Sequence, residues 1–180
     1  LKEAYPDVYV IQNIENTGFS IANNQGIKYA LSLDSKYVLL LNNDVEITEP
    51  NWLQELLSVF NSDSQVGVVG CKLLYPNGRI QHAGGVVTLQ VPYNRGEDQE
   101  DQGQYNKVEF LDYVTGAVLL IRSDVIRQIG YLDPGFTPLY CEDTDWCLRA
   151  KFYRYKIAYT PKPTLIHLCG SSSCKLGNAR

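Results

Sequence analysis

The stretch YVLLLNNDVEI, residues 37–47, changes abruptly from apolar to polar side chains. Residues 37–41 are all apolar, and Asn42, Asn43 and Asp44 follow them directly. Such a run indicates a strand buried on both faces, as in parallel or mixed sheets covered by helices. Ligands of open α/β sheets bind just beyond the carboxyl ends of such strands. The polar residues therefore mark a candidate site, although Asn43 and Asp44 would equally well begin a turn by hydrogen bonding to their own backbone.

The composition is that of one soluble globular domain. The 180 residues are enough to bury a sizeable core, and 44% hydrophobic with 20% charged residues is ordinary for such a protein. The net charge of −4 argues against a nucleic-acid partner, which favours a basic surface. No apolar run approaches the roughly 20 residues of a membrane span, and the first residues do not resemble a signal peptide.

The five cysteines are an odd number and form no Cys-x-x-Cys pair. This pattern predicts reduced thiols in a cytosolic protein rather than a disulfide framework. Cys169 and Cys174 lie close together in the sequence, but the chain has only two histidines, so a four-ligand structural zinc site is not expected.

The first half of the chain alternates predicted strands and helices, the pattern of an α/β domain. A helix begins with Ser20 as its cap and reaches about Leu33, and a later helix has Pro50 in its first turn. That second helix has an apolar stripe formed by Leu53, Leu56, Leu57 and Phe60. The predicted strands of this half are Asp7–Ile14, Tyr37–Leu41 and Val66–Leu74.

The second half opens with a polar, acidic stretch, Pro92–Lys107, that shows no periodicity. A loop of this length is either a functional flap or a solvated insertion, and the solvated insertion is the simpler reading. The stretch 110–124 is strand-like but interrupted at Thr115 and Gly116. A short helix capped by Ser123 and ended by Gly130, a helix over 143–153 and a strand near 156–159 complete the prediction.

Three regions carry residue types suited to chemistry, and two of them follow apolar stretches. Asp44, with the amide oxygen of Asn42 beside it, offers oxygen ligands to a hard divalent cation. His167 follows an apolar stretch and precedes a Gly-Ser run, residues 170–173, whose N–H and hydroxyl groups suit a phosphate. A histidine in such a place is more often a structural residue than a ligand, and the same holds for His82 in RIQHAGG.

The segment CEDTDWCLRA, residues 141–150, predicts a helix with an acidic first turn. Trp146, Cys147 and Ala150 form its buried stripe, and Asp143 stands at the head of the same face. Asp145 and Arg149 are four residues apart and form a local ion pair off that face. The acidic first turn alone has a purely structural explanation, since carboxylates stabilise a helix N-terminus.

Five segments taken in order resemble the family 2 glycosyltransferases, in particular their rhamnosyltransferase-like branch. They are ENTGFSIANNQGIKYAL, YVLLLNNDVEI, VTGAVLLIRSDVIRQIGYLDPGF, CEDTDWCLRA and PKPTLIHLCGSS. The resemblance covers the chain from about Val8 to Ser172. It implies the GT-A fold, a Rossmann-like mixed sheet with helices on both faces, without the family's first strand–helix–strand unit. It also implies an inverting enzyme that moves a sugar from a nucleotide-diphosphate donor to a hydroxyl of a glycan or lipid-linked acceptor.

The resemblance assigns roles residue by residue. Asp143 matches the catalytic base, and Asp44 and His167 match the metal ligands, with Mn²⁺ or Mg²⁺ as the cofactor. Asn42 stands where the family has the first acid of its Asp-x-Asp motif, which leaves one charge fewer at the metal. The matched residues of the donor–acceptor cleft are Asn16, Gly18, Phe19, Asn42, Thr115, Gly116, Glu142 and Trp146.

The resemblance also implies an organisation and partners. The sequence contains no Met and opens on a helix end and a turn, so it is expected to be a single partial catalytic domain, inactive in isolation. The donor side would lie in about 1–75 and the acceptor and catalytic side in about 76–180. The expected location is the cytoplasm, including the cytoplasmic face of a membrane reached through regions outside this sequence. A nucleotidyltransferase-like enzyme and a non-catalytic carbohydrate-binding domain are the alternatives.

Overall fold

The computed structural model describes residues 3–89, 91–136 and 141–168. The four helices are α1 (Gly18–Ser32), α2 (Trp52–Val59), α3 (Ser123–Ile129) and α4 (Glu142–Phe152). The strands are β1 (Tyr37–Leu41), β2 (Val45–Glu46), β3 (Val66–Leu74), β4 (Ile80–His82), β5 (Gly85–Val87), β6 (Pro92–Asn94), β7 (Glu109–Leu111), β8 (Val118–Arg122) and β9 (Lys156–His167).

One mixed sheet holds the domain together, with the strand order β1-β8-β3-β9-β2. β3 and β9 are parallel, whereas β8 runs antiparallel to both β1 and β3. β4 pairs with β3 and β7 pairs with β9, both antiparallel, and β5 with β6 forms a separate hairpin. The carboxyl ends of β1, β3 and β9 therefore meet the starts of β8 and β4 at one edge of the sheet.

The core has two halves, one on each face of the sheet. Neighbouring strand residues alternate between them: Val68 packs on the face covered by α1, α3 and α4, and Val69 packs on the face covered by α2. The central strand β3 is buried along nearly its whole length, which explains its uninterrupted apolar sequence. The predicted mixed α/β architecture with helices on both faces is confirmed.

The predicted strand Asp7–Ile14 is wrong, because this segment has no regular secondary structure. Its apolar side chains, which suggested the strand, are largely exposed, and Ile14 is fully so. Tyr9 stacks on Tyr29 of α1, with the ring centroids 4.1 Å apart. Among the described residues the segment has no strand partner, so an apolar pattern alone was not enough to form a ladder.

The starts of two helices differ from the prediction by two or three residues. α1 begins at Gly18 rather than after Ser20, because the Asn16 side chain accepts a hydrogen bond from Gly18 N–H at 3.0 Å and organises the turn before the helix. α2 begins at Trp52, so Pro50 lies in the turn before the helix rather than in its first turn.

The strand predicted near 156–159 continues as β9 to His167. Its pairing with β3 skips from Thr160 to Thr164, so residues 161–163 bulge out of the ladder. Pro161 and Pro163 lie in that interruption, where a missing N–H costs no ladder hydrogen bond. The bulge allows the strand to continue past both prolines and to carry His167 to the sheet edge.

The polar stretch 92–107 is not simply a solvated insertion, because it is fixed to the sheet by ion pairs and hydrogen bonds. The Lys72 ammonium on β3 is 2% exposed and donates to Asp101 at 2.9 Å and to Asn106 at 2.7 Å. Arg95 donates to Glu109 at 2.8 Å and lies over the rings of Tyr105 and Tyr159.

Within the described ranges, no helix is long and apolar enough to cross a lipid bilayer.

Candidate functional site

The sequence segments singled out above converge on the edge of the sheet where β1, β3 and β9 end. Asn42–Asp44 follows β1 directly, and Asn42 N–H donates to Ala117 O at 3.0 Å. β2 turns back antiparallel along β9, pairing Val45 with His167. This pairing brings the polar residues after β1 to His167, although they are more than 120 positions apart in the sequence.

Asp44, His167 and Asn42 form a polar cluster at this edge. Asp44 Oδ1 lies 3.0 Å from His167 Nε2, and the Asn42 amide nitrogen lies 3.4 Å from the same ring nitrogen. The side chains of His167 and Asp44 are 14% and 24% exposed, so the cluster is accessible from one side. The structure thus brings together the two residues matched to metal ligands.

Gln81 orients the His167 ring from the opposite side. Its Oε1 lies 2.7 Å from His167 Nδ1, and Gln81 is buried. An amide oxygen only accepts hydrogen bonds, so Nδ1 carries the proton and donates it. The Nε2 atom then faces Asp44 Oδ1, and the contact between them is completed by a proton or by a cation.

The donor set of this cluster suits a divalent cation that shares its coordination with a bound ligand. It offers a carboxylate, an imidazole and an amide, which fit the mixed oxygen and nitrogen shells of Mn²⁺ or Mg²⁺. Across residues 3–89, 91–136 and 141–168 there is no group of three or more His, Cys, Asp or Glu residues placed to bind a metal. A cation here would therefore need further oxygen ligands from a substrate or from water.

The second part of the site surrounds Asp143 at the start of α4. Asp143 Oδ2 accepts a hydrogen bond from Gly116 N–H at 2.7 Å, and Oδ1 accepts one from Thr144 N–H at 2.7 Å. The Thr144 hydroxyl also lies 3.3 Å from Oδ1. The carboxylate is thus held in a fixed orientation by donors from two different elements.

The pKa of Asp143 is raised, because burial of its carboxyl group outweighs the hydrogen bonds from Gly116 and Thr144, which lower it. Those hydrogen bonds are present, but desolvation is the larger effect.

Gly116 is a point of close contact between three elements of the site. A Cβ atom at this position would lie 2.9 Å from the Phe19 ring and 3.5 Å from Asp143 Cβ. The loop at Thr115 and Gly116 is therefore packed between the start of α1 and the start of α4. This contact brings Phe19, Gly116 and Asp143, which the family resemblance grouped in one cleft, into one neighbourhood.

The remaining residues of α4 lie as the helical pattern predicts. Trp146 and Cys147 are buried, and the Trp146 indole donates to Gly130 O at 2.9 Å. Arg149 pairs with Asp145 at 2.9 Å, away from the buried face. Trp146 is 1% exposed, so its ring supports the helix from within the core and does not reach the surface of the cleft. Glu142 is also buried, at 7% exposure.

Asn16 and Gly18 contribute to this region by organising the turn that leads into α1. Gly18 has a φ of 78°, a conformation that suits glycine, and its N–H donates to the Asn16 side chain as described above. Together they set the position of Phe19 against Gly116.

Gln81 and His82 are the site neighbours that the sequence did not reveal. His82 is buried, and burial lowers its pKa to about 4. It was read as a structural histidine, and both ring nitrogens indeed have partners, but one of these partners is the backbone N–H of Thr115. The glycines that follow His82 could have indicated close packing here. A Cβ atom at Gly85 would collide with the ring of Tyr113, which lies close to the loop at Thr115.

The Gly-Ser run 170–173, together with Cys169 and Cys174, lies outside the described residues, so the suggested phosphate contact is not seen. The cysteines at 71, 141 and 147 are free thiols.

Comparison with known proteins points to one family. The sequence profile of a glycosyltransferase-like family matches residues 6–180. An O-antigen biosynthesis protein, RfbC, of Myxococcus xanthus is 33% identical over 152 residues, covering 81% of this chain and 12% of that protein. The low-salt glycan biosynthesis hexosyltransferase Agl10 of Haloferax volcanii is 26% identical over 177 residues, covering 91% of this chain and 53% of that protein.

Among solved structures, GalNAc-T7 with UDP, GalNAc and Mn²⁺ superposes with a TM-score of 0.71. The match has 14% sequence identity and covers 95% of this chain and 34% of that one. At this identity the similarity establishes the fold, which is the predicted GT-A arrangement. The chain spans between 12% and 53% of the length of the curated relatives it matches.

Proposed function

This chain belongs to the glycosyltransferase-like family, and we propose that it contributes the catalytic site for transfer of a sugar from a nucleotide-diphosphate donor to a hydroxyl group. The acceptor would be a glycan or a lipid-linked saccharide. The transfer would proceed by a single displacement with inversion at the sugar carbon, assisted by Mn²⁺ or Mg²⁺.

The observation that carries this proposal is the convergence of two distinct groups at one sheet edge. One group, Asp44 with His167 and Asn42, has the donor atoms for a divalent cation. The other, Asp143, is a carboxylate with a raised pKa held between Gly116 and Thr144. A cation site for a diphosphate together with a separate base is the minimum that a metal-assisted displacement requires.

Asp44 and His167 would hold the cation, and the side chain of Asn42 would border it. A divalent cation bound there would stabilise the negative charge that grows on the leaving nucleoside diphosphate. Asn42 is neutral, so Asp44 is the one carboxylate of the cluster. GalNAc-T7 was solved with UDP and Mn²⁺, which supports this pairing of nucleotide and cation at a site of the same fold.

Asp143 would accept the proton of the attacking hydroxyl. As the acceptor oxygen bonds to the anomeric carbon, the bond from that carbon to the diphosphate oxygen breaks on the opposite face. The acceptor proton then resides on Asp143, and the electron pair of the broken bond leaves with the nucleotide. A base whose pKa lies closer to the working pH is a better general base than an ordinary carboxylate, which agrees with the raised pKa of Asp143.

In this assignment most donor-side residues lie in 1–75 and the base lies in 76–180, but His167 joins the donor side from the end of the chain. The free thiols at 71, 141 and 147 suit a reducing compartment, so we place the reaction on the cytoplasmic side.

A direct test presents the protein with a panel of nucleotide sugars and glycan acceptors, with Mn²⁺, with Mg²⁺ and with a chelator. We expect metal-dependent transfer, and NMR of the first-formed product should show the anomeric configuration inverted relative to the donor. Retention of configuration would contradict the single displacement. Nucleotidyl transfer to a sugar phosphate, or tight glycan binding with no turnover of any donor, would replace this function by one of its alternatives.

A further inference from the structure

We propose that His82 is a positioning residue, which holds the Thr115–Gly116 backbone so that Gly116 N–H points at the carboxylate of Asp143. The relay runs from β4 through the loop before β8 to the start of α4. The kinetic part of its test rests on the function proposed above, because it requires turnover.

The partners of His82 fix which of its ring nitrogens carries the proton. Thr115 N–H lies 3.2 Å from Nε2, and a backbone N–H only donates, so Nε2 is unprotonated. Nδ1 must then carry the proton of the neutral ring and donate it to Asn94 Oδ1, 2.8 Å away. Asn94 Oδ1 also accepts from the Tyr113 hydroxyl at 3.1 Å, which agrees with an oxygen at that position.

Only a neutral His82 makes this arrangement, because a protonated Nε2 would face the Thr115 N–H donor. The ring is 1% exposed, and the positive charge of Arg95 also disfavours a positive charge on the ring. His82 is therefore a permanent acceptor toward the loop.

The hydrogen bond between His82 and Thr115 also fixes the next residue of the loop, Gly116, which contacts Asp143. Thr115 N–H is held by His82, and the next N–H, of Gly116, donates to Asp143 Oδ2 at 2.7 Å. Phe19 packs against the same glycine, so the peptide has little room to adopt another orientation. Without the acceptor at His82, the partly buried Thr115 N–H would lose its hydrogen-bond partner, and the peptide would rotate to recover one.

The matched test compares a variant that keeps an acceptor at the position of His82 Nε2 with a variant that lacks it. His82→Gln places an amide oxygen near the position of Nε2 and keeps the acceptor for Thr115, whereas His82→Asn reaches only the position of Nδ1 and loses it. We expect His82→Asn to lower kcat between about 10-fold and 100-fold, with the donor KM and Mn²⁺ affinity unchanged, and His82→Gln to stay within about 3-fold of wild type. Ile80→Val, in the same strand, serves as the control for a general loss of core stability.

Equal kcat for His82→Gln and His82→Asn would overturn the proposal. So would losses of kcat in all three variants that simply follow their melting temperatures, because that pattern describes a structural residue.

A second measurement needs no turnover. The chain has only two histidines, so ¹⁵N NMR resolves each ring. His82 should show a protonated Nδ1 and a bare Nε2 throughout pH 5.5–8, and the Gly116 amide resonance should follow the titration of Asp143 in wild type and in His82→Gln but not in His82→Asn. A protonated Nε2 on His82 contradicts the relay. If wild type transfers no sugar, the proposed function fails, and the NMR result still decides the role of His82.

Discussion

At the scale of single residues, Asp44 and His167 have different weights in the proposed cation site. Asp44 is the one charged ligand of the cluster, because Asn42 is neutral, whereas His167 contributes a neutral nitrogen. We expect Asp44→Asn to remove Mn²⁺ binding and metal-dependent transfer, and His167→Ala to weaken both by a smaller factor. Titration calorimetry with Mn²⁺ measures binding without turnover.

Asp44 and His167 lie at the sheet edge and are partly exposed, so both variants should fold like wild type. Asp145→Asn, which alters an ion pair on α4 away from the cluster, is a suitable control for a change of one charge. Unchanged Mn²⁺ affinity in Asp44→Asn would remove this residue from the site, and a silent His167→Ala alone would make His167 structural.

The raised pKa of Asp143 sets the pH dependence of the proposed transfer. The base works only when deprotonated, so kcat/KM should fall with decreasing pH, with an apparent pKa above the ordinary value of 3.8. Tyr113, Cys141 and Cys147 interact with it, and their pKa values are all raised, so these three groups are neutral in this range.

Substitution of Thr144 should change the pKa of Asp143, because the hydrogen bond from the Thr144 hydroxyl favours the ionised form of Asp143. Thr144→Val is nearly isosteric and should move the acid limb of the profile to higher pH by less than about one unit. A profile of kcat/KM against pH for both proteins provides the measurement. A shift to lower pH would show that another group controls the acid limb.

At the scale of elements, the three-residue strand β4 is more important than its length suggests. Its neighbouring residues Gln81 and His82 reach opposite parts of the site, the first contacting His167 and the second contacting Thr115. Adjacent residues of a strand point to opposite faces, so one short strand supports both the cation side and the base side. β3, with which β4 pairs, anchors it to the core.

This placement predicts a selective effect of substitution at Gln81. Gln81→Leu removes the acceptor for His167 Nδ1 and should weaken Mn²⁺ binding by about 10-fold to 100-fold, the usual effect of losing such a support. Gln81→Glu keeps an oxygen acceptor and should retain more affinity. The position of the His167 ring in ¹⁵N spectra should change in Gln81→Leu, while His82 remains as in wild type. Equal Mn²⁺ affinity in wild type and Gln81→Leu would contradict the orienting role.

At the scale of the whole molecule, an ion pair between the buried Lys72 and the partly exposed Asp101 fastens the acidic stretch 92–107 to the sheet. Lys72 is almost fully buried and pairs with Asp101, so Asp101→Ala would leave a buried ammonium with only the Asn106 amide oxygen. We expect a loss of about 2 kcal/mol in the free energy of unfolding, below the range for fully buried pairs because Asp101 is 23% exposed.

Asp98→Asn is the matched control, since Asp98 lies on the same stretch but pairs with Arg79 at the surface, and asparagine tolerates its φ of 59°. It should cost no more than about 1 kcal/mol in urea unfolding. Equal losses in the two variants would contradict the special position of Lys72.

The same pair predicts a pH dependence of stability. Burial alone would raise the pKa of Asp101, but Lys72 and the Gly103 N–H together hold it below its ordinary value. The pair's stabilisation is therefore complete above the unfolded pKa of Asp and is lost as the pH falls through the lower folded value. The difference in unfolding free energy between wild type and Asp101→Ala should thus shrink below about pH 4.

The sequence predicted those parts of the molecule whose structure depends on local patterns. The apolar runs gave β1 and β3 with their observed bounds, and the stripe of Trp146, Cys147 and Ala150 gave the buried face of α4. Asp44, Asp143 and His167 were proposed as site residues through an ordered set of motifs. Their convergence followed from the fold that those motifs implied.

What the sequence did not predict depends on contacts between distant segments. The apolar residues of 7–14 suggested a strand, but a strand requires a partner, and no local pattern supplies one. The bulge at residues 161–163, which lets β9 continue past two prolines, was not predicted. Gln81 and His82 looked unremarkable because their partners, His167 and Thr115, are far away in the sequence.

The role of Asp143 as general base is the central claim, and one comparison tests it most directly. Turnover and donor affinity should be measured for Asp143→Asn and Asp145→Asn at saturating Mn²⁺. We predict that Asp143→Asn lowers kcat by about 10²–10⁴-fold with donor affinity nearly unchanged, and that Asp145→Asn costs much less, because Asp145 only pairs with Arg149. An Asp143→Asn variant with near wild-type turnover, beside a strongly impaired Asp145→Asn, would contradict the account.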